Sequence, residues 1–297
     1  MYDFYWKMKS GGIMRVYELA DNLDEYLVSL KDDELSDNTI KKYNTQIKKF
    51  IEYLRDDDEL TKQRYIDFRT VLTESREINT VNQYIVAINK YLSYLHYDNL
   101  KIKQLRVQRR QSLDNVASVS DFKRLISRTN KFNDVETKLM MQCMAYTGNR
   151  VSELKFFTYE SVKEAKKKNN TIFIKNKGKY RELTLPTWLI HDLLKYCHER
   201  KIKGLIFESK HNLGHVYNRS TINRRMKKYA GKCKVKLSVA HPHSLRHLYG
   251  KQMLKLSNGD YRETADFMGH FSEKTTRIYT QLSSKEKKDV ANLLKYK

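Results

Sequence analysis

The sequence predicts a mainly α protein with one small β-hairpin, arranged as a compact helical part followed by a larger part that carries the hairpin. Three observations predict this. Only two prolines, Pro186 and Pro242, and 10 glycines occur among 297 residues, so little interrupts helical backbone. Apolar residues recur at helical spacing over most of the chain. At one place the turn signal Asn176-Lys177-Gly178-Lys179 separates two short strand-like runs, the pattern of a tight hairpin.

Taken in order, residues 1–15 show no clear period and read as a leader, with Met14 a candidate natural start. From Val16 a helical pattern begins, with Leu19, Leu23, Tyr26, Leu27 and Leu30 on one face. Ser36 can cap a second helix bearing Ile40, Tyr43, Ile47, Phe50, Ile51 and Leu54. A weaker helix covers residues 61–72. A fourth starts near Thr80 and carries Val81, Tyr84, Ile85, Ile88, Leu92 and Leu95. Together, residues 16–100 make a four-helix domain. Residues 101–110 hold five basic side chains and no acidic one, so 101–117 reads as a basic linker. Ser118 with Asp121 looks like a capping box that opens a second domain, 118–297. There, 171–174 and 182–185 read as the two strands of the hairpin. Helices are expected at 135–146, 187–199, 220–230, 244–256 and 261–268, with a short apolar-faced helix around Val290, Leu293 and Leu294.

Charge narrows the partner. Lys and Arg number 58 against 35 Asp and Glu, a net charge of +23, which points to a polyanion. Residues 163–181 hold eight basic side chains against one Glu, and 224–236 hold seven against none. Both runs read as surfaces that track phosphates. No apolar stretch reaches bilayer length, so no membrane partner is expected. No secretory signal is seen, and Cys143, Cys197 and Cys233 match no metal spacing. These features fit a reduced cytoplasmic compartment.

The chemistry concentrates late in the chain: His243-Ser244-Leu245-Arg246-His247, then Met268-Gly269-His270, then Thr275-Thr276-Arg277-Ile278-Tyr279. An upstream partner is Thr147-Gly148-Asn149-Arg150-Val151-Ser152-Glu153. Phosphodiester transfer builds negative charge on non-bridging oxygens, and a fixed cation stabilises that charge most in the transition state. Arginine suits the task with its planar, permanently charged fork. Arg246 lies one helical turn after His243, so both face the same way. Singly, each residue reads as a surface charge, a packed histidine or one tyrosine among 21. The ordered set is far more specific than any of its members.

That set resembles the tyrosine recombinases, the family of phage integrases and Xer recombinases. Residues 147–154 resemble the family's first box; His241-Pro242-His243-Ser244-Leu245-Arg246-His247, Met268-Gly269-His270 and the Tyr279 segment resemble the rest. The resemblance implies a two-domain DNA clamp: a helical core-site-binding domain and a tyrosine recombinase catalytic domain. It implies site-specific recombination of double-stranded DNA by a homo-tetramer on two paired sites, without cofactor or metal. Arg150 and Arg246 would clamp the scissile phosphate. His243 and His270 would hydrogen-bond its oxygens or manage the nucleophile's proton, and Glu153 would orient the site from behind. Tyr279 would attack and leave a 3′-phosphotyrosyl link. Lys177 would protonate the leaving 5′ oxygen, with Lys179 an alternative, because the hairpin is one residue shorter than the family's usual pattern. Asn149 stands where the family commonly has an apolar residue, and Met268 where it has Leu. The short N-terminal stretch favours a simple core site over an added arm-site domain. Two other readings share these residues: relaxation of DNA in the manner of a type IB topoisomerase, and a sequence-specific DNA-binding protein without catalysis.

Overall fold

The computed structural model describes residues 13–55, 59–107, 116–176 and 179–269. The chain divides into two compact units, Met1–Arg109 and Arg110–Lys297.

The first unit is helical. A two-residue strand β1 (Met14–Arg15) pairs antiparallel with β2 (Glu59–Leu60). Between them run α1 (Val16–Asp21), α2 (Leu23–Asp32) and α3 (Asp37–Leu54), followed by α4 (Lys62–Ser75) and α5 (Ile78–Tyr94). The single pattern expected from Val16 is thus two helices. Asn22 breaks it in a local turn, its amide donating to the Glu18 carbonyl. Side-chain caps fix the starts: Ser36 accepts from the Thr39 N–H, and Thr61 from the Arg64 N–H. The core gathers Leu19, Ile47, Phe50, Leu54, Tyr65, Ile85, Ile88 and Leu92, all almost fully buried. Phe50 packs on Tyr65 and Phe68 with ring centroids 4.9 and 5.0 Å apart. Met14 is buried in this core too, so the part of the expected leader nearest Val16 belongs to the unit.

The start of the expected linker is also attached here. Ile102 is buried, and the Asn89 side chain pairs with both polar groups of its backbone at 2.8 and 3.3 Å. Asn82 does the same for Leu105 at 2.9 and 2.8 Å. Composition does not reveal this, because the bonds reach from helix side chains 13 and 23 residues away.

The second unit begins with α6 (Val119–Lys131), opened by the Ser118–Asp121 capping box. Next come α7 (Val135–Thr147), a 3₁₀ turn (Val151–Phe156) and α8 (Tyr159–Ala165). The hairpin β3 (Thr171–Asn176) and β4 (Lys179–Thr184) pairs Thr171 with Thr184 and Asn176 with Lys179. It runs closer to the turn than the expected strands do. Then follow α9 (Thr187–Arg200), a second hairpin of β5 (Glu208–Ser209) and β6 (Asn212–Val216), α10 (Arg219–Ala230), α11 (Pro242–Leu256) and α12 (Tyr261–Met268). The second hairpin was not expected, since it has no apolar alternation and its strands are short and exposed. Helix α7 is buried on nearly every side, with Leu139, Met140, Met141, Cys143 and Met144 in the core. The expected helix after Tyr279 lies outside the described residues.

Two basic residues assigned from sequence to the phosphate-tracking surface turn inward instead. Arg225 meets Glu136 at 2.6 Å and stacks its guanidinium over Tyr217 at 4.1 Å. Arg181 is largely buried against Glu153. Lys168 is balanced by Glu164 one turn before it, at 3.3 Å. Lys163, Lys166, Lys167, Lys227, Lys228, Lys232 and Lys234 stay exposed.

Candidate active site

Helix α7 ends because Gly148 takes the left-handed conformation, φ +61°. A side chain there would be strained, and its Cβ would run into the Tyr249 ring. The turn launches Arg150, and two buried neighbours fix it. Glu153, 1 % exposed, accepts from the Arg150 backbone N–H at 2.7 Å and from its guanidinium at 2.9 Å. Asn149, also 1 % exposed, donates to the Arg150 carbonyl at 2.9 Å and lies 3.1 Å from the Thr147 hydroxyl. Sequence reasoning assigns no role to Asn149, which stands where the family commonly has an apolar residue. Its side chain donates to the Arg150 carbonyl and accepts from the Thr147 hydroxyl, contacts that only the folded turn reveals.

Replacing Asn149 by Leu should therefore remove two buried hydrogen bonds, to the Arg150 carbonyl and from the Thr147 hydroxyl. A stability loss of about 1–3 kcal/mol is expected. Misplacing Arg150 by an ångström should slow DNA cleavage up to about 100-fold. Thermal unfolding and single-turnover cleavage, measured on the same preparation, check the two effects together.

On α11, His241 is the N-cap, its Nδ1 accepting from the Ser244 N–H at 3.1 Å, and Pro242 occupies the first turn. Ser244 is buried and accepts from the Ala117 N–H at 2.6 Å, anchoring the helix to the start of the unit. Arg246, 2 % exposed, donates to the carbonyls of Gly148 and of Met268, the latter at 2.8 Å. The same Met268 carbonyl accepts from Arg181 of β4 at 2.9 Å. Arg181 also reaches the Thr147 carbonyl at 3.4 Å and the Glu153 carboxylate at 3.6 Å. The Arg150 turn, the hairpin and the end of α12 thus share two arginines. Gly269 follows with φ +58°, and a Cβ there would meet Arg181 Cδ at 2.7 Å.

Arg150, His243 and Arg246 line one open pocket of about 450 Å³, together with Asn149, Ser152 and Arg219 among others. Among the described residues no Asp or Glu borders it. His243 is accessible at its rim. Partial burial, then the charges of Arg246, His241, Arg219 and Arg150, hold its pKa below the usual imidazole value. At neutral pH it is an uncharged imidazole, able to accept a proton. His247 packs beside it, ring centroids 4.4 Å apart.

The shift sets a direction that can be measured. The folded chain holds fewer protons than the unfolded one near pH 6, so this contribution to stability is lost as pH falls below about 6.5. An NMR titration of the DNA-free protein should place the His243 midpoint under that value. A bound phosphate should raise it, because an anion favours the imidazolium.

The structure brings together four residues that the sequence nominated: Arg150, Glu153, His243 and Arg246. Lys177, His270 and Tyr279 lie outside the described residues. Lys179 is the first residue of β4. Sequence reasoning missed Asn149, Arg181 and Arg219; a run of basic residues gave no signal to separate Arg181 from its neighbours, and Arg219 stood alone among polar and apolar residues outside any motif. Among the described residues no cluster of three or more His, Cys, Asp or Glu could hold a metal, and no helix is long and apolar enough to cross a membrane.

A mainly α unit with a hairpin beside an arginine-rich pocket, preceded by a small helical unit, defines a class. The chain belongs to the phage integrase family: the model of that family matches residues 116–286, and the model of the phage integrase N-terminal SAM-like domain matches residues 23–99. The chain is 30 % identical over 179 residues to the tyrosine recombinase XerA of Pyrococcus furiosus, covering 59 % of this chain and 60 % of that one. It is 25 % identical over 290 residues to the tyrosine recombinase XerD of Shewanella oneidensis, covering 91 % and 94 %. Among solved structures, a lambda integrase dimer bound to a core site matches with a TM-score of 0.72 at 13 % identity, over 93 % of this chain and 80 % of that one. A XerH site-specific recombinase in a post-cleavage complex matches at 0.68 and 19 % identity, over 86 % and 79 %. These two show a shared fold.

Proposed function

We propose that this chain is a site-specific DNA recombinase that cuts and rejoins double-stranded DNA through a tyrosine. The observation that carries the reading is the pocket in which Arg150, His243 and Arg246 converge, with no carboxylate among the described residues of its walls. The motif containing His270 and Tyr279 follows directly in the sequence. In this reading the Tyr279 oxygen bonds to phosphorus and the bond to the 5′ oxygen breaks. His243, uncharged, takes the tyrosine proton, with His270 donating to a phosphate oxygen. Lys177 gives a proton to the leaving 5′ oxygen, and Lys179 is the alternative. Arg150 and Arg246 hold the negative charge that grows on the non-bridging oxygens. The products are a 3′-phosphotyrosyl link and a free 5′ hydroxyl. The phosphoester energy is kept in that link, so rejoining needs no nucleotide.

The two units would close around the duplex as a clamp, and a homo-tetramer would hold two paired sites. The reaction would take place in the cytoplasm. The related chains named recombinases support strand exchange over simple relaxation. A nicked suicide substrate tests the chemistry, since loss of the short cleaved strand traps the covalent protein–DNA adduct. A plasmid carrying two sites tests the outcome. Relaxed circles without exchange would assign a type IB topoisomerase activity instead, and DNA binding with no adduct would leave a binding protein.

Binding should be strongly salt dependent. If the exposed lysines of 163–181 and 224–236 contact phosphates, log affinity should fall with log salt by about 0.9 per phosphate neutralised. With six or more contacts, a loss of about 1,000-fold is expected between 50 and 200 mM salt. Fluorescence anisotropy across that range checks it; a nearly flat response would return these runs to solvated charge.

A further inference from the structure

We propose that Arg219 is a third arginine on the scissile phosphate, a catalytic cation added to Arg150 and Arg246. The proposal rests on the recombinase reading and deepens it. Three separate segments wall the pocket: 149–152, 216–219 and 242–246. The first brings Arg150 and the third brings His243 and Arg246. The second brings Arg219, from a stretch that contributes nothing to the motif boxes.

Its placement is fixed from below. Arg219 is the first residue of α10, and the Asn218 side chain caps that helix by accepting from the Thr221 N–H at 2.8 Å. The side chain therefore starts from a stiff helix end, and the helix dipole adds partial positive charge on the same wall. Its guanidinium lies near enough to His243 to act on that ring's charge.

Its partners set it apart from the engaged arginines around the site, and its place on the pocket wall sets it apart from Arg128, Arg200 and Arg224. Arg150 is engaged by Glu153, Arg181 by Glu153 and two carbonyls, Arg225 by Glu136, and Arg246 by two carbonyls. Among the described residues the Arg219 side chain has no ion pair or hydrogen bond. A guanidinium on a pocket wall with no acidic residue among the described ones is placed to meet an anion. A phosphodiester offers two non-bridging oxygens, and each takes on more charge as the fifth bond to phosphorus forms. A cation whose fork reaches them stabilises that state more than the ground state. A cation that touched a neighbouring phosphate would strengthen binding in both states alike.

That difference decides the test. Arg219→Ala and Arg219→Lys would be made in the full chain. Dissociation constants and single-turnover cleavage would be measured on a suicide substrate, and on the same substrate with a methylphosphonate at the scissile position. The methylphosphonate replaces one charged oxygen by a neutral methyl. On ordinary DNA, Arg219→Ala should cleave about 100-fold more slowly with little change in affinity. Arg219→Lys, which keeps the charge and loses the fork, should fall between. On the methylphosphonate the loss should shrink to a few-fold, because the charge that Arg219 balances is absent. An equal loss on both substrates, whether from misfolding or from an indirect contact, overturns the proposal. So does a loss confined to affinity, or cleavage at the wild-type rate. The wild-type adduct on the same gel separates the two readings: its absence overturns the recombinase assignment itself, and its presence beside an unimpaired Arg219→Ala overturns only the role of Arg219.

Discussion

Tyr279→Phe is expected to bind DNA with wild-type affinity and to form no covalent adduct. The substitution removes one oxygen and keeps the ring, so packing is preserved while the only atom able to bond phosphorus is lost. A phenol has a pKa near 10 and is a poor nucleophile at neutral pH. It depends on a base and on nearby cations, and in the proposed reaction His243 would be the base and Arg150 and Arg246, which line the same pocket, the cations. The chain has 21 tyrosines, so the result also identifies which one reacts. A denaturant-resistant adduct from the Phe variant would transfer the role to another tyrosine.

Arg246→Ala is expected to have the second largest effect, because Arg246 does two things at once. It borders the pocket as a cation, and it joins the Gly148 carbonyl of the Arg150 turn to the Met268 carbonyl at the end of α12. Losing a preorganised donor to a developing oxyanion costs about 100- to 1,000-fold in rate. Leaving buried carbonyls without that donor costs about 1–3 kcal/mol each in stability. Arg181 still reaches the Met268 carbonyl, so the Gly148 side should suffer more. Cleavage should fall at least 1,000-fold, and the melting temperature should drop as well. Arg246→Lys should recover little, since a single ammonium cannot span two carbonyls as the planar fork does. Wild-type unfolding in the Ala variant would show that the two carbonyl contacts contribute nothing.

Much of the fold was legible locally. Ser36, Thr61 and Ser118 cap where their side chains accept from N–H groups three residues on, and such bonds depend on short-range sequence alone. The Asn176 to Lys179 turn places the first hairpin for the same reason. The β1–β2 pair joins Met14 to Leu60 across 46 residues of chain order and left no trace in either short segment. The docking of Ile102 by Asn89 is similar, since a basic stretch carries no mark of the helix that will hold its backbone.

The site divides along the same line. The sequence by itself nominated the reacting residue types, through the resemblance of their order and spacing to the recombinase motifs: arginines for growing phosphate charge, histidines for protons and a tyrosine to attack. Only the tertiary structure decided which of the many basic side chains serve that pocket. Arg225 was drawn to Glu136 and Arg181 to the end of α12, while Arg219 was left on the pocket wall. In sequence Arg181 and Arg225 are arginines within basic runs and Arg219 is an arginine outside any motif. Their fates differ because a guanidinium's role is set by the acceptors that folding brings within about 3 Å of it, and those acceptors come from segments far away in the chain.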